Sequence, residues 1–367
     1  MAREANYFLA ALQKAEGIGR RYLRRMLDAF DNAEEIWRAD AAELHKKAGL
    51  PLSVAESAVN FCRQNPDEPK RLARFCLDHE FKLYALNDPE YPPSLKEIFD
   101  PPACFFCWGE LPTEIGVGIV GSRKATAYGL GVAEKISREL AAAGMVVISG
   151  AARGIDTAAH KGALKSGKTV AVLGCGLDMP YPPENRQLLR QIATEGGAVI
   201  SEFLPGTPPL AGNFPTRNRI ISGLSKGILV VEAPIKSGAL ITAELAISNN
   251  RDVFAVPGSI YSVTSEGCNR LIQHGAKLVM SAGDVLEEYG ISKKKAPPRS
   301  QIPPNLSEDE AAVYRILSVD QPMSIDDIII KSGRGEVSHV AQILFQMEMN
   351  GYIKSDDYRE YVRVEGK

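Results

Sequence analysis

The chain has 367 residues, 45% of them hydrophobic and 24% charged, with a net charge of −2. This composition suits a globular protein of two to three domains at ~150 residues each, and the near-neutral total excludes a chain that is basic throughout. Six cysteines scattered along the length exclude a disulfide framework, and no apolar run reaches the ~18 residues of a membrane span.

The opening segment, MAREANYFLAALQ, is flanked by charges and lacks the long apolar stretch of a secretory signal, so no membrane association and a cytoplasmic location are expected. Residues 1–75 carry apolar side chains near a 3.6-residue spacing and read as a helical domain. Within it, Gly17-Ile18-Gly19 precedes the basic amphipathic stretch RRYLRRMLDAF. That is the outline of a helix-hairpin-helix or SAM-like unit, although a small bundle whose glycine turn merely joins two helices fits as well. Residues 76–115 are rich in proline and aromatics and read as an ordered connector or edge strands. Cys104 and Cys107 form a lone CxxC there. Without a second pair, two small buried strand residues are expected rather than a metal site.

From residue 116 to 290 short apolar strands alternate with helices. The strands are expected at Val117–Val120, Met145–Ser149, Thr169–Leu173, Ala198–Ser201, Gly227–Glu232, Asp252–Val256 and Ala276–Met280. Nearly continuous apolar strands between helices predict an α/β fold: a doubly wound, mainly parallel, Rossmann-like sheet covered on both faces. Residues 291–305 (ISKKKAPPRSQIPPN) read as a basic, proline-rich linker. Residues 306–367 predict three helices and a hairpin, a winged-helix-like domain.

Charge is uneven along this plan. Residues 1–115 hold 15 basic and 19 acidic side chains, net −4, and residues 116–290 hold 17 and 14, net +3. The linker adds +4, and residues 306–367 hold 7 and 12, net −5. A polyanion is therefore expected on the middle segment.

In an open parallel sheet, ligands sit at the carboxyl ends of the strands, so the loops there bear the function. The first, Gly121-Ser122-Arg123-Lys124, offers backbone amides and a guanidinium suited to phosphate. It is not GxGxxG, and no acid ends the second strand, so no dinucleotide cofactor is expected. The second loop, SGAARGID, holds Arg153 and Asp156, with His160 one helical turn on; Asp156 reads as a helix cap or as a ligand group. The third holds Cys175 between glycines, a tight-turn residue or a reactive thiol, and continues into Tyr181-Pro182-Pro183-Glu184-Asn185. The fourth holds Phe214, Arg217, Asn218 and Arg219, in a stretch where prolines are expected to keep the chain extended before a helix. Two guanidiniums, an amide and a ring can bind phosphates and stack on a base, although arginine could equally pair with Glu202 or Glu232. The fifth holds Lys236-Ser237-Gly238. Arg123, Arg153, Arg217, Arg219 and Lys236 are expected to converge on one groove.

Together the segments VGSRKATAYG, SGAARGIDTAAHKGAL, VAVLGCGLDMPYPPENRQL, SEFLPGTPP, FPTRNRIISGLSKGILVVEA, SGALITAELA, RDVFAVPGS and GCNRLIQHGA resemble the DNA-processing protein A (DprA/Smf) family, over essentially all of residues 116–282. The resemblance implies a non-enzymatic protein without a cofactor. It would bind single-stranded DNA on a Rossmann-like domain, form a homodimer, and load a RecA-type recombinase during natural transformation. It places Arg123 and the FPTRNR segment in the DNA pocket and extends that pocket to Gly121, Ser122 and Lys236 to Gly238. The acidic tail lacks basic residues on its third helix, so a protein-contact role is expected for it rather than duplex reading. The Lys293–Lys295 run could add nonspecific DNA affinity. A second class stays open: SGALITAEL loosely resembles a loop of LOG-type phosphoribohydrolases, with Glu244 as the acid, although PGGxGT is missing.

Overall fold

A computed structural model describes residues 2–291, 305–318, 323–333, 336–355 and 360–364. The chain divides into two compact units, residues 1–292 and 293–367. Most of the segment expected as a linker, with Lys293–Lys295, lies outside the described residues.

The first unit opens with helices α1 (Ala2–Leu12), α2 (Arg20–Ala29), α3 (Ala33–Arg38), α4 (Ala41–Ala48), α5 (Leu52–Gln64) and α6 (Glu68–Asp78). The proline-rich segment then contributes β1 (Phe81–Ala85), a short α7 (Pro93–Lys96) and β2 (Cys104–Gly109). The segment thus forms strands, β1 at the sheet edge and β2 between β1 and its other neighbour in the sheet. These helices and strands share one apolar core with the sheet that follows, through Leu9, Leu12, Cys76, Phe105, Ile200 and others. Residues 1–115 are accordingly part of the same compact unit rather than separate bodies.

The alternating segment forms β3 (Gly116–Val120), α8 (Ala127–Ala142), β4 (Val146–Ser149), α9 (Ile155–Leu164), β5 (Thr169–Val172), α10 (Arg186–Thr194), β6 (Ala198–Ser201), α11 (Asn213–Leu224), β7 (Gly227–Val230), α12 (Gly238–Ser248), β8 (Asp252–Ala255), α13 (Glu266–Gln273), β9 (Lys277–Leu278) and α14 (Ala282–Glu288). Each strand coincides with a predicted one to within a few residues. Among the described residues nine strands make one sheet, ordered β1-β2-β6-β5-β4-β3-β7-β8-β9. From β3 to β9 neighbours run parallel, while β2 is antiparallel to both β1 and β6.

Strand periodicity divides the burial between two faces. Val117 and Ile119 of β3 pack with Ile136 and Leu140 of α8 and with Ala159 of α9. Val120, with Val146 and Ile148 of β4, enters the larger core that holds Ile220 and Ile221 of α11. The strand order also decides where a ligand can enter. The chain steps outward from β3 through β4, β5 and β6, then returns to lay β7 on the other side of β3. Loops leaving β3 and β7 must diverge to opposite faces, which opens a crevice at their carboxyl ends.

The second unit contains α15 (Glu308–Ile316), β10 (Met323–Ser324), α16 (Ile325–Ser332), α17 (Val337–Met349), β11 (Ile353–Ser355) and β12 (Glu360–Arg363). Its strands pair in the order β10-β12-β11 around Val313, Ile328, Val340, Leu344 and Met347. No helix among the described residues is long and apolar enough to cross a membrane.

Helices α8 and α9 touch through backbone: a methyl at Gly162 would overlap the Glu134 carbonyl. Gly162→Ala is therefore expected to lower the unfolding free energy by about 2 kcal/mol, a clash that the better helix propensity of alanine cannot offset. Urea titration checks this, and an unchanged midpoint would refute the close approach.

Candidate nucleic-acid interface

The crevice between β3 and β7 is a cleft of about 790 Å³ lined by Gly121, Ser122, Arg123, Lys124, Asp156, Tyr181, Phe214, Arg217, Asn218, Lys236, Ser237 and Gly238, among others. One buried side chain shapes its mouth. Glu232 follows β7, and its carboxylate accepts from the Thr126 amide (2.9 Å) and hydroxyl (2.5 Å). Its carbonyl accepts from the Ser122 amide (2.7 Å). Thr126 in turn caps α8 by accepting from the Gly129 amide. Gly121 has no room for a side chain, because a Cβ would lie 2.6 Å from Ile155 and 2.8 Å from the Glu232 carbonyl. Gly154 sits at φ +76°, open to glycine at little cost, where a Cβ would also overlap the Ser122 carbonyl. The loops after β3, β4 and β7 are thus laced together.

The FPTRNR segment differs from its expectation. It is not extended: α11 begins at Asn213 and includes it. Pro215 falls in the first turn, where its missing N–H costs nothing. Helical phase then sorts the side chains. Phe214, Arg217 and Asn218, at spacings of three and four, share one face and line the cleft. Arg219 lies two residues from Arg217, roughly 200° around the axis. It points away from the cleft and pairs with Glu202 (2.5 Å) and Asp100 (3.1 Å). Burial opposes its charge, yet these two carboxylates hold its pKa above the usual value. The expectation that Arg219 joins the groove is corrected: it braces β6 and the proline-rich segment.

Arg217 forms the floor of the cleft. It is 3% exposed and donates to the Gly150 carbonyl at 2.8 Å. Asp156 lies beneath it, but its carboxylate does not cap α9. It accepts from the Gly150 and Ala152 amides at 3.1 and 3.3 Å and holds the loop after β4. Burial raises Asp156 to about 6, against the pull of Arg217. Burial also lowers Arg217 to about 10, which leaves it charged at neutral pH.

The remaining groups sort as follows. Arg123 is exposed and lies 5.3 Å over the Phe214 ring. Lys124 and Lys236 are exposed at the mouth. Asn218 donates to the Gly238 carbonyl at 3.4 Å, and Ser237 caps α12. The Cα of Gly238 faces open space. Arg153 does not line the cleft; it stands at the rim over Tyr181 (5.8 Å) and pairs with Glu184. Tyr181, whose ring is 5.8 Å from Phe214, and Lys124 were not singled out from sequence. The aromatic YPP that follows the third loop was the available signal for Tyr181.

His160 is fully buried and bonds Thr169 at 2.7 Å; burial, followed by the nearby Arg217, depresses it to about 3, so it stays neutral. The Cys175 thiol is buried and pushed up to about 11 by desolvation, which favours the tight-turn reading. Cys104 and Cys107 lie buried in β2, each pushed up to about 12 by burial. Glu244 is exposed on α12, outside the cleft lining. No group of three or more His, Cys, Asp or Glu gathers as a metal site among the described residues.

A doubly wound sheet with cations gathered at its switch point defines a Rossmann-like protein. Residues 82–290 match the family described as DNA recombination-mediator protein A, and residues 296–357 match the DprA winged helix domain. The chain belongs to the DNA recombination-mediator protein A family. It is 40% identical over 300 residues to Protein Smf of Synechocystis, spanning 79% of this chain and 74% of that protein. The DNA processing protein A structure from Streptococcus pneumoniae superposes with a TM-score of 0.67 at 39% identity, covering 77% of this chain and 97% of that one. The Helicobacter pylori protein superposes with a TM-score of 0.52 at 29% identity, covering 57% and 95%; its structure describes a single-stranded DNA binding mode.

Two substitutions separate floor from brace. Arg217→Met removes the charge that restrains Asp156, so the pKa of Asp156 should climb above about 6. A carboxylate whose folded pKa exceeds its ordinary 3.8 destabilises the fold as pH rises through that window. The variant should lose about 3 kcal/mol at pH ~8 and clearly less at pH ~5, and equal losses would contradict the pairing. Arg219→Met takes from Glu202 its guanidinium partner, while Asp100 keeps Arg20 at 2.9 Å, and should also lower the melting temperature. Strand binding by the folded fraction should be unchanged, and weakened binding would return Arg219 to the cleft.

Proposed function

We propose that this protein binds single-stranded DNA in the β3–β7 cleft, protects the strand, and passes it to a RecA-type recombinase during natural transformation or related recombination. It acts without chemically converting the strand, as a cytoplasmic homodimer. The observation that carries this reading is Arg123 stacked on Phe214 above a cleft floored by charged Arg217. Guanidinium and ring together offer a phosphate contact and a stacking face that any base can use. Lys124 and Lys236, exposed at the mouth, add contacts to the strand's phosphates. The Helicobacter pylori relative, described with a single-stranded DNA binding mode, supports the same ligand.

Several groups argue against an enzyme. Asp156 supplies the sole carboxylate among the described residues of the lining, and it is committed to two loop amides and Arg217. His160 is buried and neutral, and Cys175 is held protonated. Glu244, the acid of the phosphoribohydrolase reading, faces solvent outside the cleft. In the second unit, α17 carries no lysine or arginine and exposes Val337, Phe345 and Met349, which supports a protein-contact role for the tail.

The test is a titration of single- and double-stranded oligonucleotides at two salt concentrations. Affinity for the single strand should fall with salt at a slope of about −0.7 per neutralised phosphate. Arg123→Ala with Lys236→Ala, both at exposed positions, should weaken binding at least about tenfold with unfolding unchanged. Unaltered affinity at fixed salt would overturn the proposal.

A further inference from the structure

Four side chains from four different strand-end loops form a row in which cations and rings alternate. Arg123 follows β3 and lies over Phe214 of α11, which follows β6. Phe214 meets Tyr181, which follows β5, with centroids 5.8 Å apart and planes tilted 52°. Arg153, which follows β4, lies 5.8 Å over the outer side of the row at Tyr181. The inner half belongs to the cleft already described. Of the outer half, Tyr181 also lines the cleft while Arg153 stands at its rim, and no step of the proposed function uses this pair.

The outer half is nonetheless a built feature. Asn185 is buried, and its amide donates to the Ala151 carbonyl (2.9 Å) and the Thr157 hydroxyl (2.8 Å). This ties the turn carrying Tyr181 and Glu184 to the loop carrying Arg153. Within that frame the Arg153 guanidinium is engaged by the Glu184 carboxylate, both side chains about half exposed. An exposed ion pair of this kind contributes little to stability, so it exchanges readily for another anion. A phosphodiester offers the guanidinium the same planar pair of oxygens that the carboxylate does.

We infer that Arg153 and Tyr181 form an additional nucleotide subsite at the rim of the cleft, and that Glu184 occupies the phosphate position of this subsite in the free protein. A strand long enough to leave the Arg123–Phe214 pocket stacks its next base on Tyr181. Its phosphate displaces Glu184 from Arg153. Glu184 thereby sets a length threshold: short strands gain nothing at the rim, and longer ones gain one stacked base and one neutralised phosphate. This rests on the cleft reading above, and its test is designed to fail separately.

The experiment measures dissociation constants for single-stranded oligonucleotides lengthened one nucleotide at a time. Arg153→Ala, Tyr181→Leu, Glu184→Gln and Arg153→Ala with Glu184→Gln are compared with the unaltered protein. Glu184→Gln should tighten binding of the longer strands about threefold and leave the shortest bound strand unchanged. Arg153→Ala should weaken only the longer strands and reduce the salt slope by about 0.7, the value for one phosphate. Tyr181→Leu should cost the longer strands about tenfold. In the double variant the gain from Glu184→Gln should vanish. A gain that survives without Arg153, or a length series that neither single change at Arg153 or Glu184 alters, would overturn the subsite. If Arg123→Ala with Lys236→Ala still abolished binding in that case, the cleft itself would stand.

Discussion

The buried carboxylate of Glu232 is the contact on which the cleft depends. A doubly wound sheet opens a crevice wherever its strand order reverses, but a crevice is not yet a site. Glu232 converts one into the other by accepting two hydrogen bonds from Thr126 with its side chain and one from Ser122 with its carbonyl. The loop after β7 thereby holds the loop after β3 at a set distance and presents its arginine outward. The same bonds satisfy donors at the start of α8 that would otherwise be orphaned. Buried and turned onto these donors, the carboxylate is not among the residues that line the cleft.

The cleft is cationic by economy rather than by abundance. The alternating segment carries a small excess of basic residues, and several of its arginines are neutralised in ion pairs. What makes the field strong is that Arg123, Lys124, Arg217 and Lys236 meet within one lining with a single carboxylate beneath them. That carboxylate, Asp156, is raised to about 6 by burial and accepts from the Gly150 and Ala152 amides next to Arg217. A low-dielectric floor strengthens the attraction of Arg217 for a phosphate and at the same time fixes its direction through the Gly150 carbonyl.

Rings matter as much as charges here. Phe214 and Tyr181 come from different loops, yet they meet with their planes tilted 52° and a guanidinium over each ring. A surface of this kind tolerates any base, because every base has a flat face, while the phosphates supply most of the free energy. The family to which the chain belongs fits such a surface, and among the described residues Asp156 is the one carboxylate in its lining.

The strands, the glycine turns and the family itself were legible from the amino-acid order alone. They rest on short-range regularities: a period of two in buried strands, small residues where backbone must approach a helix start, and whole loops repeated in series. The loop residues Gly121, Ser122, Arg123 and Lys236 to Gly238 were legible for the same reason, since a strand end followed by a helix start places them without further help. The tertiary structure alone decided that Arg217 enters the cleft and Arg219 leaves it, because that depends on where α11 begins and hence on its rotational phase. It also decided that Tyr181 meets Phe214, that Arg153 is shared with Glu184, and that residues 1–115 join the main core. Each of these turns on which strands become neighbours, an outcome of burying apolar surface across the whole chain that no local window contains.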